Sequence, residues 1–145
     1  MKRHLILFLT AAAACSSAAA PDRNDPTAST SQTPARVVDT LEIRLGQSAT
    51  FDGGRLEIRF ETVVGDSRCP ANAVCVWQGD AHLKIVTRVA GGAPVTSSLH
   101  STLEPHKVTV DRYTISMVGL LPYPGTVRDT DTPPTPTLIL RVASE

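Results

Sequence analysis

The sequence predicts an all-β protein: a single antiparallel β-sandwich, or small barrel, of about eight short strands, preceded by a signal peptide and a flexible tether. Three observations predict it. Apolar residues in residues 37–145 recur with a period of two rather than 3.6. Turn-forming segments with Gly, Pro or Asp separate these runs at intervals of about ten residues. No segment has the apolar stripe of an amphipathic helix.

The elements follow in chain order. Leu41, Ile43 and Leu45 alternate with Glu42 and Arg44, and a short β-rich piece spans Ala49 to Phe51. In Arg55 to Val64 the residues Leu56, Ile58 and Phe60 alternate with Arg55, Glu57, Arg59 and Glu61, so a strand gathers the charge on one face, whereas a helix would smear it. Leu83 and Ile85 stand opposite His82 and Lys84, and two shorter pieces are Val95 to Leu99 and Lys107 to Val110. Tyr113, Ile115 and Met117 oppose Arg112, Thr114 and Ser116, and Leu138, Leu140 and Val142 oppose Thr137 and Arg141. Gly46-Gln47, Asp52-Gly53-Gly54, Gly91-Gly92-Ala93-Pro94 and Glu104-Pro105 supply the turns. The stretch Pro122 to Pro136 has no periodicity and is expected to be a flexible excursion.

The N-terminus has a different character. Lys2, Arg3 and His4 precede an apolar stretch, Leu5 to Ala14, shorter than the roughly 20 residues that span a bilayer, which predicts a secretory signal over residues 1–14. Its end, Ala12-Ala13-Ala14-Cys15, resembles the lipobox of bacterial lipoproteins, with Ala12 in place of the usual Leu; lipidation of Cys15 is the expectation, and cleavage near Ala20 the alternative. Residues 15–36 are rich in Ala, Ser, Thr and Pro and lack large apolar side chains, as a solvated tether would. Residues 37–145 form the predicted β-domain. A lipid on Cys15 implies a bacterial cell-envelope location, with the outer membrane facing the periplasm favoured over the inner membrane because Ser16 supplies no Asp-type retention signal; the alternative is a secreted protein.

Charge narrows function only by exclusion. The 14 Lys and Arg residues balance 14 Asp and Glu, and they are scattered, so the chain lacks the basic excess that nucleic-acid binding requires. With Cys15 lipidated, Cys69 and Cys75 are an even pair in an oxidising compartment and are expected to form a disulfide; a zinc site would need two more ligands. Alternation continued through Cys75, Trp77, Gly79, Ala81 and Leu83 points Trp77 inward against the half-cystine, with Gly79 leaving room for the indole. The contrasting expectation is that Trp77 stacks on a partner at the loop. Arg68 is the other candidate partner-binding residue, pairing otherwise with Asp66 or Asp80.

The order Asp66-Ser67-Arg68-Cys69-Pro70, four residues, Cys75-Val76-Trp77-Gln78-Gly79, after a Gly46-Gln47-Ser48 turn and the Leu56-Glu57-Ile58-Arg59-Phe60 strand, resembles a group of small, uncharacterised bacterial secreted proteins and lipoproteins. The resemblance runs from about Leu41 to Val142. It implies a β-rich extracytoplasmic domain with paired cysteines, and no activity or ligand.

Catalysis has little to stand on. Gly65-Asp66-Ser67 matches fragments of two hydrolase nucleophile motifs, but one needs an α/β fold with a downstream Asp-x-x-His, and the other needs oxyanion-hole glycines where Arg68 and Cys69 stand. His82 falls on the polar face of its strand. His100, Glu104 and His106 could hold zinc only if they converged with a further ligand. The sequence therefore leads to a binding or structural module of the envelope, with a lipid-anchored membrane contact, an envelope protein as partner, and no metal or cofactor. The alternatives are an inhibitor presenting the Cys69–Cys75 loop and a small hydrolase using Ser67.

Overall fold

The computed structural model describes residues 36–126, 132 and 134–145. The signal segment, Cys15 and the tether up to residue 35 lie outside the described residues, as do residues 127–131 and 133 of the Pro122–Pro136 stretch. Eight strands form: β1 Val38–Arg44, β2 Ser48–Phe51, β3 Leu56–Asp66, β4 Ala81–Val89, β5 Val95–His100, β6 Lys107–Val110, β7 Tyr113–Leu121 and β8 Thr137–Ser144. They make two four-stranded antiparallel sheets, ordered β1-β8-β7-β6 and β2-β3-β4-β5. Each strand thus follows its sequence neighbour around a β-sandwich, and β8 returns to pair with β1.

Alternation builds the core. Leu56, Ile58 and Phe60 of β3, Leu83 and Ile85 of β4, Ile115 of β7, and Leu138, Leu140 and Val142 of β8 are fully enclosed between the sheets. Burying each such side chain contributes about 1.5–3 kcal/mol relative to leaving it in water. The alternation fails where the strands bulge. Register shifts between Phe60 and Thr62 and between Val63 and Gly65 leave Val64 exposed, and one between Met117 and Gly119 makes Leu120, rather than its neighbours, the buried residue near the end of β7.

The up-and-down path gives the domain two unlike ends. At one, Val37 and Glu145 lie together: Ser144 N–H donates to Val37 O at 3.0 Å and Glu145 N–H to Arg112 O at 2.9 Å. Here the buried Tyr113 packs edge-on against Phe51, with ring centroids 5.9 Å apart, and its hydroxyl donates to Asp52 Oδ2 at 2.7 Å. At the other end lie the Leu45–Gln47 turn, the long β3–β4 connection, the β5–β6 turn and the segment after β7. The candidate site is at this second end.

Candidate functional site

The β3–β4 connection, residues 67–80, begins as a narrow ladder. Ser67 N–H donates to Asp80 O at 2.7 Å, and Cys69 N–H donates to Gln78 O at 2.9 Å. The Ser67 hydroxyl donates to Asp80 O at 3.0 Å and accepts from Asp80 N–H at 3.2 Å. Ser67 is therefore a rung of the loop base, with its hydroxyl engaged on main chain rather than on a histidine. Beyond the ladder Cys69 and Cys75 are joined by a disulfide, Cα to Cα 5.9 Å. A ring this small stabilises by about 2 kcal/mol on the chain-entropy model, so the Cys69→Ala/Cys75→Ala variant is expected to lose about that much in denaturant titration, with the sandwich retained.

Arg68 lies beneath the loop with its side chain only 7% exposed. Its Nε and NH2 donate to the two carboxylate oxygens of Asp66 at 2.9 and 2.7 Å, NH1 donates to Leu120 O at 2.7 Å, and NH2 also reaches Pro122 O at 3.1 Å. The Tyr123 ring covers the guanidinium, its centroid 4.9 Å from Cζ. Arg68 is thus consumed inside the chain, and of the two residues expected to face a partner only Trp77 is accessible. Next to the clamp, Ala71 N–H donates to Pro124 O at 2.8 Å, leaning the loop on the segment after β7.

Trp77 corrects the inward expectation. It is 60% exposed, and Val74 and Val76 project fully into solvent, with relative exposures of 104% and 106%. The reason is where the strand starts. Regular pairing of β4 begins only at Ala81, and Gly79, at φ +71°, turns the chain so that alternation cannot be extrapolated back to Cys75. Nor does Gly79 make room for the indole: a Cβ there would lie 1.9 Å from Ser67 O.

Sequence reasoning named Asp80 only as a possible partner of Arg68 and missed its role in the loop base. Its side chain is 8% exposed and receives His100 Nδ1–H at 2.6 Å, Thr102 N–H at 3.0 Å and the Ser101 and Thr102 hydroxyls at 3.2 Å. Burial alone would push its carboxyl up, but the hydrogen bonds from His100, the Thr102 and Leu103 main chain and the Thr102 hydroxyl outweigh burial and hold it well below the usual carboxylate range. Asp66 shows the same balance: burial raises its pKa, and the side-chain and main-chain hydrogen bonds from Arg68 lower it further than burial raises it. Asp80 thereby ties the loop base to the β5–β6 turn. The signal available in sequence was its position between Gly79 and the first residue of β4, opposite a histidine-bearing strand.

Both carboxyls titrate lower in the folded chain than their unfolded value of about 3.9, so the unfolded state takes up protons first as pH falls. Their contribution is fully present above about pH 5 and is lost progressively below about pH 4. Urea midpoints measured between pH 7 and pH 3 are expected to fall in that lower window, and Asp80→Asn to reduce the slope there. A slope unchanged by Asp80→Asn would count against the role given to this carboxylate.

His100 and His106 do not converge. His100 is held by Asp80, whereas His106 Nδ1 lies 2.9 Å from Glu104 Oε1, so the anticipated trio of His100, Glu104 and His106 is split between two carboxylates. His82 stacks flat on His100, ring centroids 4.3 Å apart and 9° from parallel, with Nε2 3.2 Å from Ser98 Oγ. Among the described residues no group of three His, Cys, Asp or Glu side chains is placed to hold a metal ion.

No protein-family model, curated protein or solved structure matches the chain.

Proposed function

We propose that this chain is a binding module of the bacterial cell envelope, held at a membrane by a lipid on Cys15, that presents residues 69–78 to an envelope protein and performs no catalysis. One observation carries the reading: polarity is inverted at the loop. Val74, Val76 and Trp77 face water while Arg68 and Asp80 are buried at its base. An exposed apolar cluster with a tryptophan suits a contact surface, since Trp is enriched among residues that dominate binding energy. The basic n-region, the apolar stretch and Ala12-Ala13-Ala14-Cys15 support the anchor, and a Cys69–Cys75 bridge fits an oxidising compartment.

Inhibition of an envelope enzyme is the more specific version. It is favoured by the pinning of the loop from three sides, by the disulfide, by Arg68 and by Asp80, because a pre-ordered loop loses little entropy on docking.

A benzophenone amino acid at Gln78, photolysed in intact cells, tests the reading against the same label at the exposed Arg141 on β8. A discrete protein adduct is expected from position 78 only, and Trp77→Ala is expected to lower its yield about tenfold or more without moving the unfolding midpoint. Equal labelling from both positions, or no effect of Trp77→Ala, would overturn the proposal. Intact mass of the mature protein decides the anchor separately: an unmodified chain starting after Cys15 would refute it.

A further inference from the structure

The outward face of the β2-β3-β4-β5 sheet holds a groove of about 550 Å³, to which the 69–78 loop contributes no residue. It crosses all four strands, from Ser48 of β2 to Thr96 of β5, and its volume is that of an ordinary small-ligand site. Four charged side chains line it: Glu57, Arg59 and Glu61 from β3, and Arg88 from β4. Alternation gathers the first two, since Leu56, Ile58 and Phe60 point into the core and their neighbours point out. Glu61 joins them through the bulge. It is the extra residue between the Phe60–Ile85 and Thr62–Lys84 pairs, so Glu61 and Thr62 are both exposed.

The charges of this groove are unspent inside the chain. The ion pairs that form among the described residues, Asp66–Arg68, Asp80–His100, Glu104–His106 and Asp52–Arg112, all lie at the ends of the sandwich. Glu57 stands directly opposite Arg88 in the register and forms no ion pair with it, and Arg59 faces Val86, with no carboxylate across from it. Water solvates these groups while the groove is open, and pairing in water would gain little. A ligand seated in the groove displaces that water and strengthens each contact it makes.

We propose that the groove binds a short peptide carrying both ammonium and carboxylate groups. Charge balance selects this class. Two guanidiniums and two carboxylates cancel, so an anion gains at Arg59 and Arg88 what it loses at Glu57 and Glu61, and a polyamine the reverse; a ligand of both signs gains from all four. Lys84, the next outward residue of β4, does not line the groove and leaves this balance intact. Spacing agrees with it. Outward side chains along β3 follow one another at about 7 Å, which is also the reach of two extended residues and hence of a dipeptide from ammonium to carboxylate. Val86 and Pro94 offer a small apolar floor on which such a chain can lie. A second copy fits less well, because two concave faces meet only at their rims and leave the groove between them unfilled.

The test is a titration of the isotope-labelled full-length Cys15→Ala chain with lysylglutamate at fixed ionic strength, followed through the Nε–H resonances of Arg59 and Arg88. Saturable shifts at both are expected, with a Kd of about 1 mM or tighter, weakened at least about fivefold by Arg59→Gln and by Glu57→Gln. Both substitutions lie on the outward face, and unfolding midpoints check that the fold is kept; if one variant is destabilised, the other carries the test. Glutarate and cadaverine, each of one sign, are expected to bind at least about tenfold more weakly than the dipeptide.

Equal responses to all three compounds, or shifts that rise without saturating, overturn the proposal, because screening of a surface charge gives just that behaviour. Dipeptide binding that neither substitution weakens overturns it as well. Sedimentation of the same chain without peptide addresses the second copy. A monomer is expected, and a dimer that Arg59→Gln dissociates would replace the peptide by self-pairing through this face.

Discussion

Arg68→Ala is expected to destabilise the domain by about 3 kcal/mol or more, the loss that follows when a buried guanidinium bonded to a partly exposed carboxylate and two carbonyls is removed. For a domain of about 100 residues, that is a fall of at least roughly 12 °C in the thermal midpoint. The magnitude rests on what the guanidinium joins. Asp66 closes β3 in one sheet, Leu120 belongs to β7 in the other, and Pro122 opens the segment beyond it. Truncation strands the Asp66 carboxylate and two carbonyls at once. Arg68→Lys is expected to fall between, because an ammonium cannot make the paired contacts to both Asp66 oxygens or spread its charge beneath the Tyr123 ring as a guanidinium does. Removing both charges in Asp66→Ala/Arg68→Ala is expected to cost less than the sum of the single changes, since neither is then left alone. Calorimetric midpoints equal to the unsubstituted protein's would show that the clamp contributes nothing.

Gly79→Ala is expected to be comparably severe, at about 3 kcal/mol or more, through collision rather than lost attraction. The new methyl would lie 1.9 Å from Ser67 O, 2.7 Å from Ser67 C and 2.8 Å from Arg68 Cα, all main-chain atoms that cannot rotate away. The φ of +71° adds a conformational penalty of its own. Gly46→Ala isolates that second contribution. Gly46 has φ +80° with nothing within 4 Å of an added Cβ, so its expected loss is only about 1 kcal/mol. Similar unfolding free energies for the two variants would mean that the chain relaxes around Gly79 and that its crossing with Ser67 is not tight. Because Ser67 and Arg68 bracket the loop base, Gly79→Ala is also expected to disturb the Trp77 surface, which Gly46→Ala leaves alone.

The sandwich was legible because its evidence is local and repeated. Leu56, Ile58 and Phe60, or Leu138, Leu140 and Val142, mark one face without knowledge of any neighbour, and the turns between strands announce themselves through Gly and Pro. The candidate site was only partly legible. The Cys69–Cys75 pairing followed from counting cysteines, and the pairing of Arg68 with Asp66 from their nearness in sequence. The orientation of Trp77 was missed because parity was carried through Gly79, where a single left-handed residue cancels it. The role of Asp80 was missed because its partners, His100 to Leu103, come from a turn some twenty residues on, and only the register of β4 on β5 brings them together. The separation of His100 from His106 has the same origin. Bulges in β3 and β7 interrupt the alternation beyond Phe60 and Met117, and an inserted residue leaves no compositional mark in these strands.

The gathering of Val37 and Glu145 at the end away from the loop also decides how the domain can be handled. Anything joined directly before β1 or after β8 leaves the domain from the end opposite residues 69–78, so a fluorescent reporter or a second domain fused there is attached away from the loop. Meanwhile the disulfide and the Arg68 and Asp80 contacts fix the loop's footing independently of what its tip spells. The fold thus separates the loop's footing from its tip. Replacing Val74, Val76 and Trp77 with other side chains while keeping Cys69, Cys75, Gly79, Arg68 and Asp80 would change what is offered without changing how it is held.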